Sequence, residues 1–123
     1  MRIGHVFFEA KLTEADFTIR PRFHVHRYTG LETILDVARL PATSTHFESY
    51  QLIRNVLAAA QHYSAFVLLI DRRRPDLLQK WNAVSAAIID SALAQRCTAR
   101  TWQEVAAHAP ASLARFLDAK YGL

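Results

Sequence analysis

The stretch His5-Val6-Phe7-Phe8-Glu9-Ala10-Lys11 is apolar and aromatic through Phe8 and then carries two opposite charges two positions apart. Positions 3 to 10 have the β-branched and aromatic content of a strand that begins almost at Met1. On a pleated strand alternate residues share a face, so His5, Phe7, Glu9 and Lys11 point one way. Val6, Phe8 and Ala10 point the other way and form the face expected to pack into the core. The charged pair then emerges side by side at the end of the strand. The same acid-x-Lys pattern recurs at Asp118-Ala119-Lys120, but in a predicted helix, where residues two apart do not face each other.

Two readings of Glu9 and Lys11 stay open on these grounds. One is a solvated ion pair closing a strand. The other is metal-assisted phosphodiester hydrolysis, in which a carboxylate holds Mg²⁺ and a neighbouring ammonium orients water and stabilises charge building on phosphate. Lysine suits that task because its pKa responds to its surroundings, whereas arginine stays protonated.

The chain's 123 residues, 51% of them hydrophobic, suit a single domain spanning 1–123 that can bury a core without disulfides or metal staples. Cys97 is the sole cysteine, no apolar run is long enough to span a bilayer, and the first residues do not read as a secretory signal, which together fit a reducing cytoplasm. Twelve of the fifteen basic residues are Arg, and the net charge of +4 favours an anionic partner such as nucleic acid.

Along the chain, Phe23–Tyr28 alternates in the manner of a second short strand after a loop containing Pro21. Three Thr-x-x-Glu spacings, Thr29/Glu32, Thr45/Glu48 and Thr101/Glu104, predict helix starts by the capping-box pattern. The first helix is expected over about 30–40, stopping at Pro41, and the second over about 46–62. Ser64–Ile70 is a continuous apolar run, expected as a central strand buried on both faces. Apolar residues spaced by three and four predict a helix over about 75–93, followed by short helices over 102–108 and 111–120. Pro110 starts the last of these and Gly122 ends it.

The longer segment Phe8-Glu9-Ala10-Lys11-Leu12-Thr13-Glu14-Ala15-Asp16-Phe17 resembles the third motif of the PD-(D/E)xK nuclease superfamily, in a bacterial restriction-endonuclease-like group. Tyr50-Gln51-Leu52-Ile53-Arg54-Asn55, Asp71–Leu77 and the closing Phe116–Leu123 resemble later segments of that group in the same order. The resemblance implies an α/β fold with a mixed sheet flanked by helices, and a Mg²⁺- or Mn²⁺-dependent DNA endonuclease or its remnant. It implies Glu9 as the metal-binding acid, Lys11 as the catalytic lysine and Gln51 as a polar helix residue facing the site, with Arg54 touching phosphate and Glu14 and Tyr50 as weaker candidates. In that reading Lys11→Ala abolishes cleavage without a large loss of stability.

The superfamily also places a metal-binding Asp on the strand before the Glu-x-Lys strand, which this chain lacks, so the resemblance implies the C-terminal part of a nuclease domain, N-terminally incomplete. An exposed sheet edge would then favour a homodimer. The alternative is a non-catalytic DNA-binding or self-associating module derived from the same fold.

Other features have plainer readings. Arg72 and Arg73, in the run Arg72-Arg73-Arg74, could track a phosphate backbone or be turn charge paired with Asp71 and Asp76. His24 and His26 would share a strand face, yet no Cys or acidic residue stands at a zinc spacing from them. Trp81 and Trp102 fall in amphipathic patterns and are expected in the core.

Overall fold

Gly4 adopts a left-handed conformation, φ 59°, which turns the chain back at once, so that Arg2–Ile3 (β1) pairs antiparallel with Val6–Ala10 (β2). The computed structural model describes residues 1–123. β2 pairs in parallel with Ala65–Ile70 (β5), and β5 in parallel with Cys97–Thr101 (β6), giving a four-stranded mixed sheet of order β1-β2-β5-β6. Parallel neighbours require a crossover. The helix Tyr50–Gln61 (α3) supplies the first, and Pro75–Ala86 (α4) with Ser91–Arg96 (α5) the second. Trp102–Ala107 (α6) and Ala111–Tyr121 (α7) close the chain.

Between β2 and α3 lies an insertion with its own small sheet, in which Arg20–Pro21 (β3) pairs antiparallel with His46–Phe47 (β4). It encloses two short helices, Arg22–His26 (α1) and Leu31–Ile34 (α2), and a 3-10 turn at Val37–Arg39. The architecture is thus the mixed sheet flanked by helices that a restriction-endonuclease-like fold requires. No helix is long and apolar enough to cross a membrane.

The core lies on one face of the sheet. Register aligns Phe7 with Phe66 and Glu9 with Leu68, and these in turn with Cys97 and Ala99. Phe66 and Leu68 are fully buried, packed with Leu52, Ile53 and Val56 of α3 and with Trp81 and Val84 of α4. The face bearing Phe7, Glu9 and Lys11 therefore meets the core, with Lys11 buried, while all five residues of β2, including Val6, Phe8 and Ala10 that were expected inside, are half covered. The reason is α3, which returns over the Glu9 side. β5 is central in the sheet, as its run of apolar residues requires, but Ala65, Val67 and Leu69 stay half exposed on the opposite face, so it is buried on one side and not on both.

Several boundaries differ from the sequence expectation. Residues 22–26 form a helix, because one buried residue, Val25, suffices to anchor one turn, and Phe23 is left 63% exposed. Thr29 and Thr45 cap nothing: Gly30 with φ 80° starts α2, and Ser49 starts α3 after His46–Phe47 has been drawn into β4. The first expected helix breaks at Leu35, where an extended backbone bridges to Ile88. The long helix from Pro75 ends at Ala86, and Asp90, within the span expected for it, instead accepts from the Leu93 amide and caps α5. The Thr101/Glu104 capping box forms with both of its hydrogen bonds. Finally, β1 and the Met1 backbone occupy the outer edge of β2 as far as Phe8, so the open edge on which a homodimer was expected is already paired there.

Candidate active site at the end of the second strand

β2 ends by handing Glu9 and Lys11 to the space beneath α3. The Lys11 amide donates to the Leu69 carbonyl at 2.8 Å, continuing the ladder one residue past the strand, and the Trp102 indole N–H donates to the Lys11 carbonyl at 3.2 Å. The backbone on both sides of the side chain is thereby fixed. Lys11 Nζ lies 3.3 Å from Glu9 Oε1, with the side chains 5% and 14% exposed. The pair is not at a solvent-bathed rim: Lys11 is buried and Glu9 largely covered. Lys11 Nζ also lies 5.5 Å from the centroid of the fully buried Phe17 ring, an attraction of cation to π-face.

The second oxygen of Glu9 accepts from Asn55 Nδ2 at 3.2 Å. Asn55 is four residues after Gln51, so both sit on one face of α3. The helix runs antiparallel to β2, with the His62 ring 5.8 Å from Phe7 at one end and Gln51 donating its amide to Phe17 at the other. Gln51 Oε1 is buried and accepts no hydrogen bond, and neither is Ser49 Oγ engaged. Ser49 is 2% exposed and sits at φ 56°, ψ 39°, left-handed backbone that costs a non-glycine residue about 1–2 kcal/mol. Both unengaged buried oxygens of the chain thus lie at the start of α3.

The donor set bears on which ion would suit this end of β2. Nowhere do three His, Cys, Asp or Glu side chains come together. The one carboxylate is Glu9, and Gln51, on the same α3 face as Asn55, adds an amide oxygen. That fits Mg²⁺ or Mn²⁺, hard ions that keep several waters and complete their shell with substrate phosphate. It does not suit Zn²⁺, which takes nitrogen and sulfur ligands.

The remaining residues singled out from the sequence lie around this centre. Glu14 turns back on its own loop and accepts from the Leu12 and Thr13 amides; its own backbone amide and then these two hold its carboxyl below the ordinary value. Arg54 is exposed on α3 with its guanidinium 5.8 Å from the Tyr50 ring centroid. Arg72 is exposed, and its amide donates to Gln103 Oε1. Arg73 is committed to the fold: its Nε donates to both oxygens of Asp71, at 2.9 and 3.0 Å, and its Nη2 to the Tyr121 carbonyl. That bidentate bond, with a further one from Gln103, holds the Asp71 carboxyl far below the usual carboxylate range. Arg74 donates to the Glu14 and Ala15 carbonyls and so pins the loop that follows Lys11.

Glu9, Lys11 and the α3 face bearing Gln51 thus converge, while Arg73 and Arg74 serve as ties. Asn55 and Ser49 were missed. The i,i+4 spacing from Gln51 pointed to Asn55, whereas nothing in the sequence marks the left-handed backbone at Ser49.

No curated protein and no solved structure matches the chain. A family model described as "Restriction Endonuclease associating with ARP" matches residues 1–122. With that match spanning all but the last residue of a chain folded around a buried Glu-x-Lys pair, the protein belongs to this restriction-endonuclease family.

Proposed function

We propose that the protein is a Mg²⁺- or Mn²⁺-dependent DNA endonuclease of PD-(D/E)xK type, hydrolysing phosphodiester bonds at Glu9 and Lys11. The observation that carries this is the buried Glu9–Lys11 pair at 3.3 Å beneath a helix whose Asn55 holds the free carboxylate oxygen. Family membership supports a nuclease-related role at a coarser level. The divalent ion, when bound, supplies Lewis-acid polarisation of the phosphate and a more acidic water.

The chain's own residues do the rest. Asn55 keeps the Glu9 carboxylate in one orientation. The Lys11 ammonium, held between Glu9 and the Phe17 ring, offers three N–H donors to a non-bridging phosphate oxygen or to the attacking water, and offsets charge that grows in the transition state. Gln51 Oε1, with no partner in the fold, is free to accept a hydrogen bond from that water. Burial strengthens each of these electrostatic effects, because little bulk water screens them.

The test is cleavage of plasmid DNA in Mg²⁺ and in Mn²⁺ by wild type, Glu9→Gln and Lys11→Met, variants that keep side-chain size. Nicking by wild type and its loss by at least a hundredfold in both variants, with folding intact by circular dichroism, is the expected result, in the range general acid–base and electrostatic groups contribute. Nicking that survives both substitutions would remove the assignment. A second reading, a non-catalytic DNA-binding module, is favoured by the fact that both oxygens of the one carboxylate already have partners. It predicts DNA binding with no cleavage by any of the three proteins.

A further inference from the structure

Arginines gather at the start of α3, next to the buried pair but on a different face of the helix. Tyr50 and Arg54 are four residues apart and share one exposed stripe, while Gln51 and Asn55, one step further round, share the stripe that faces Glu9. Arg20 approaches the Tyr50 ring from β3, its guanidinium 5.6 Å from the centroid, and Arg54 approaches the same ring at 5.8 Å. The Tyr50 hydroxyl lies 2.7 Å from that of Tyr28, in hydrogen bond. Arg27 borders two recesses against these tyrosines: one of about 320 Å³ with His24, Tyr28 and Tyr50, the other of about 350 Å³ with Tyr28 and Arg54.

Three exposed cations thus converge on one tyrosine pair, and none forms a salt bridge to any carboxylate. Elsewhere in the chain Arg73 and Arg74 each have an acid partner. A carboxylate, Glu32, appears only in the recess beyond Tyr28 and bounds the basic surface on that side. Like charges held together without counter-charge repel one another, and an anion that neutralises them relieves that repulsion. The amides that begin α3 are already used, since Tyr50 N–H donates to Thr18 and Gln51 N–H to Phe17, so an anion here is met by side chains and not by the helix end.

The geometry points to a backbone-gripping surface in which Arg20, Arg27 and Arg54, steadied by Tyr28 and Tyr50, hold the phosphates of DNA on the approach to Glu9 and Lys11. The choice of DNA as the polyanion rests on the function proposed above. Arg73 and Arg74, tied to Asp71, Asp76 and the loop carbonyls, take no part. Arginine suits the task because its planar fork binds phosphate through two N–H groups while its face stays on the ring.

The experiment measures binding of a fluorescein-labelled DNA duplex by anisotropy in EDTA, across a salt series, so that cleavage plays no part. Arg27→Ala/Arg54→Ala is compared with Arg39→Ala/Arg115→Ala, two exposed arginines elsewhere whose loss changes net charge equally. The first pair is expected to weaken binding at least tenfold and to lower the slope of log K against log salt by about 2, one counterion step per lost phosphate contact. The control pair is expected to leave the slope unchanged, and Arg27→Lys/Arg54→Lys to restore it. Equal losses in the two alanine pairs, no loss in either, or no binding by wild type would each overturn the inference. Binding that depends on Arg27 and Arg54 with no nicking in Mn²⁺ would sustain this surface and remove the nuclease reading alone.

Discussion

Lys11 is buried and Glu9 largely covered, so removing either alone leaves the other as an unpaired charge with little access to water. Lys11→Ala is accordingly not the mild change expected from the sequence. It should lower stability by about 3–5 kcal/mol, the range for breaking one side of a buried ion pair. Urea denaturation reads this directly, and the double change Glu9→Gln/Lys11→Met should recover much of the loss. A Lys11→Ala protein as stable as wild type would mean the pair is solvated after all. The side-by-side placement of these two groups was legible from strand periodicity alone. Their burial was not, because it depends on which side of the sheet the later helix crosses.

At the scale of elements, legibility tracked how much local chemistry each one carries. α7 and α6 bear their own punctuation, Pro110 and Gly122 for one and the Thr101/Glu104 box for the other, and both form where expected. Thr101→Ala removes the hydroxyl that accepts from Glu104 N–H and should cost about 1 kcal/mol in thermal unfolding, with no effect on DNA binding. β6 escaped notice because Cys97, Ala99 and Thr101 are its only core-facing residues, and Thr98 and Arg100 on the other side read as a polar turn. Its strand character comes from the Phe66–Ile70 ladder beside it, a contact distant in sequence. The strand expected over 23–28 failed for a related reason: alternating residues fit a strand, but one buried side chain, Val25, also anchors a single helical turn over 22–26. The Thr45/Glu48 spacing was overridden when His46–Phe47 paired with Arg20–Pro21.

For the molecule as a whole, Asp71 joins distant parts of the chain. It ends β5, grips Arg73 and through it the Tyr121 carbonyl of α7, and accepts from Gln103 of α6. Its carboxyl is held below the ordinary value chiefly by Arg73. A carboxyl lowered on folding contributes fully above its unfolded pKa, about 3.9, and loses that contribution as pH falls through the folded value. Stability should therefore decline in acid below about pH 4. Asp71→Asn should lose on the order of 1–3 kcal/mol at neutral pH, as for hydrogen bonds to a charged group, and show a shallower acid decline. Thermal melts across that pH range measure both, and an unchanged acid profile in the variant would show the decline to come from other carboxylates.

The indole of Trp102 is fastened to the carbonyl of Lys11, while the other tryptophan, Trp81, is buried edge-on against Phe66. Trp102 thus ties a chromophore to the strand that bears Glu9 and Lys11. Its ultraviolet emission follows the polarity and hydrogen bonding at that one point, so a change around Lys11 can be followed by light from the unlabelled chain, with Trp81 as the steady background.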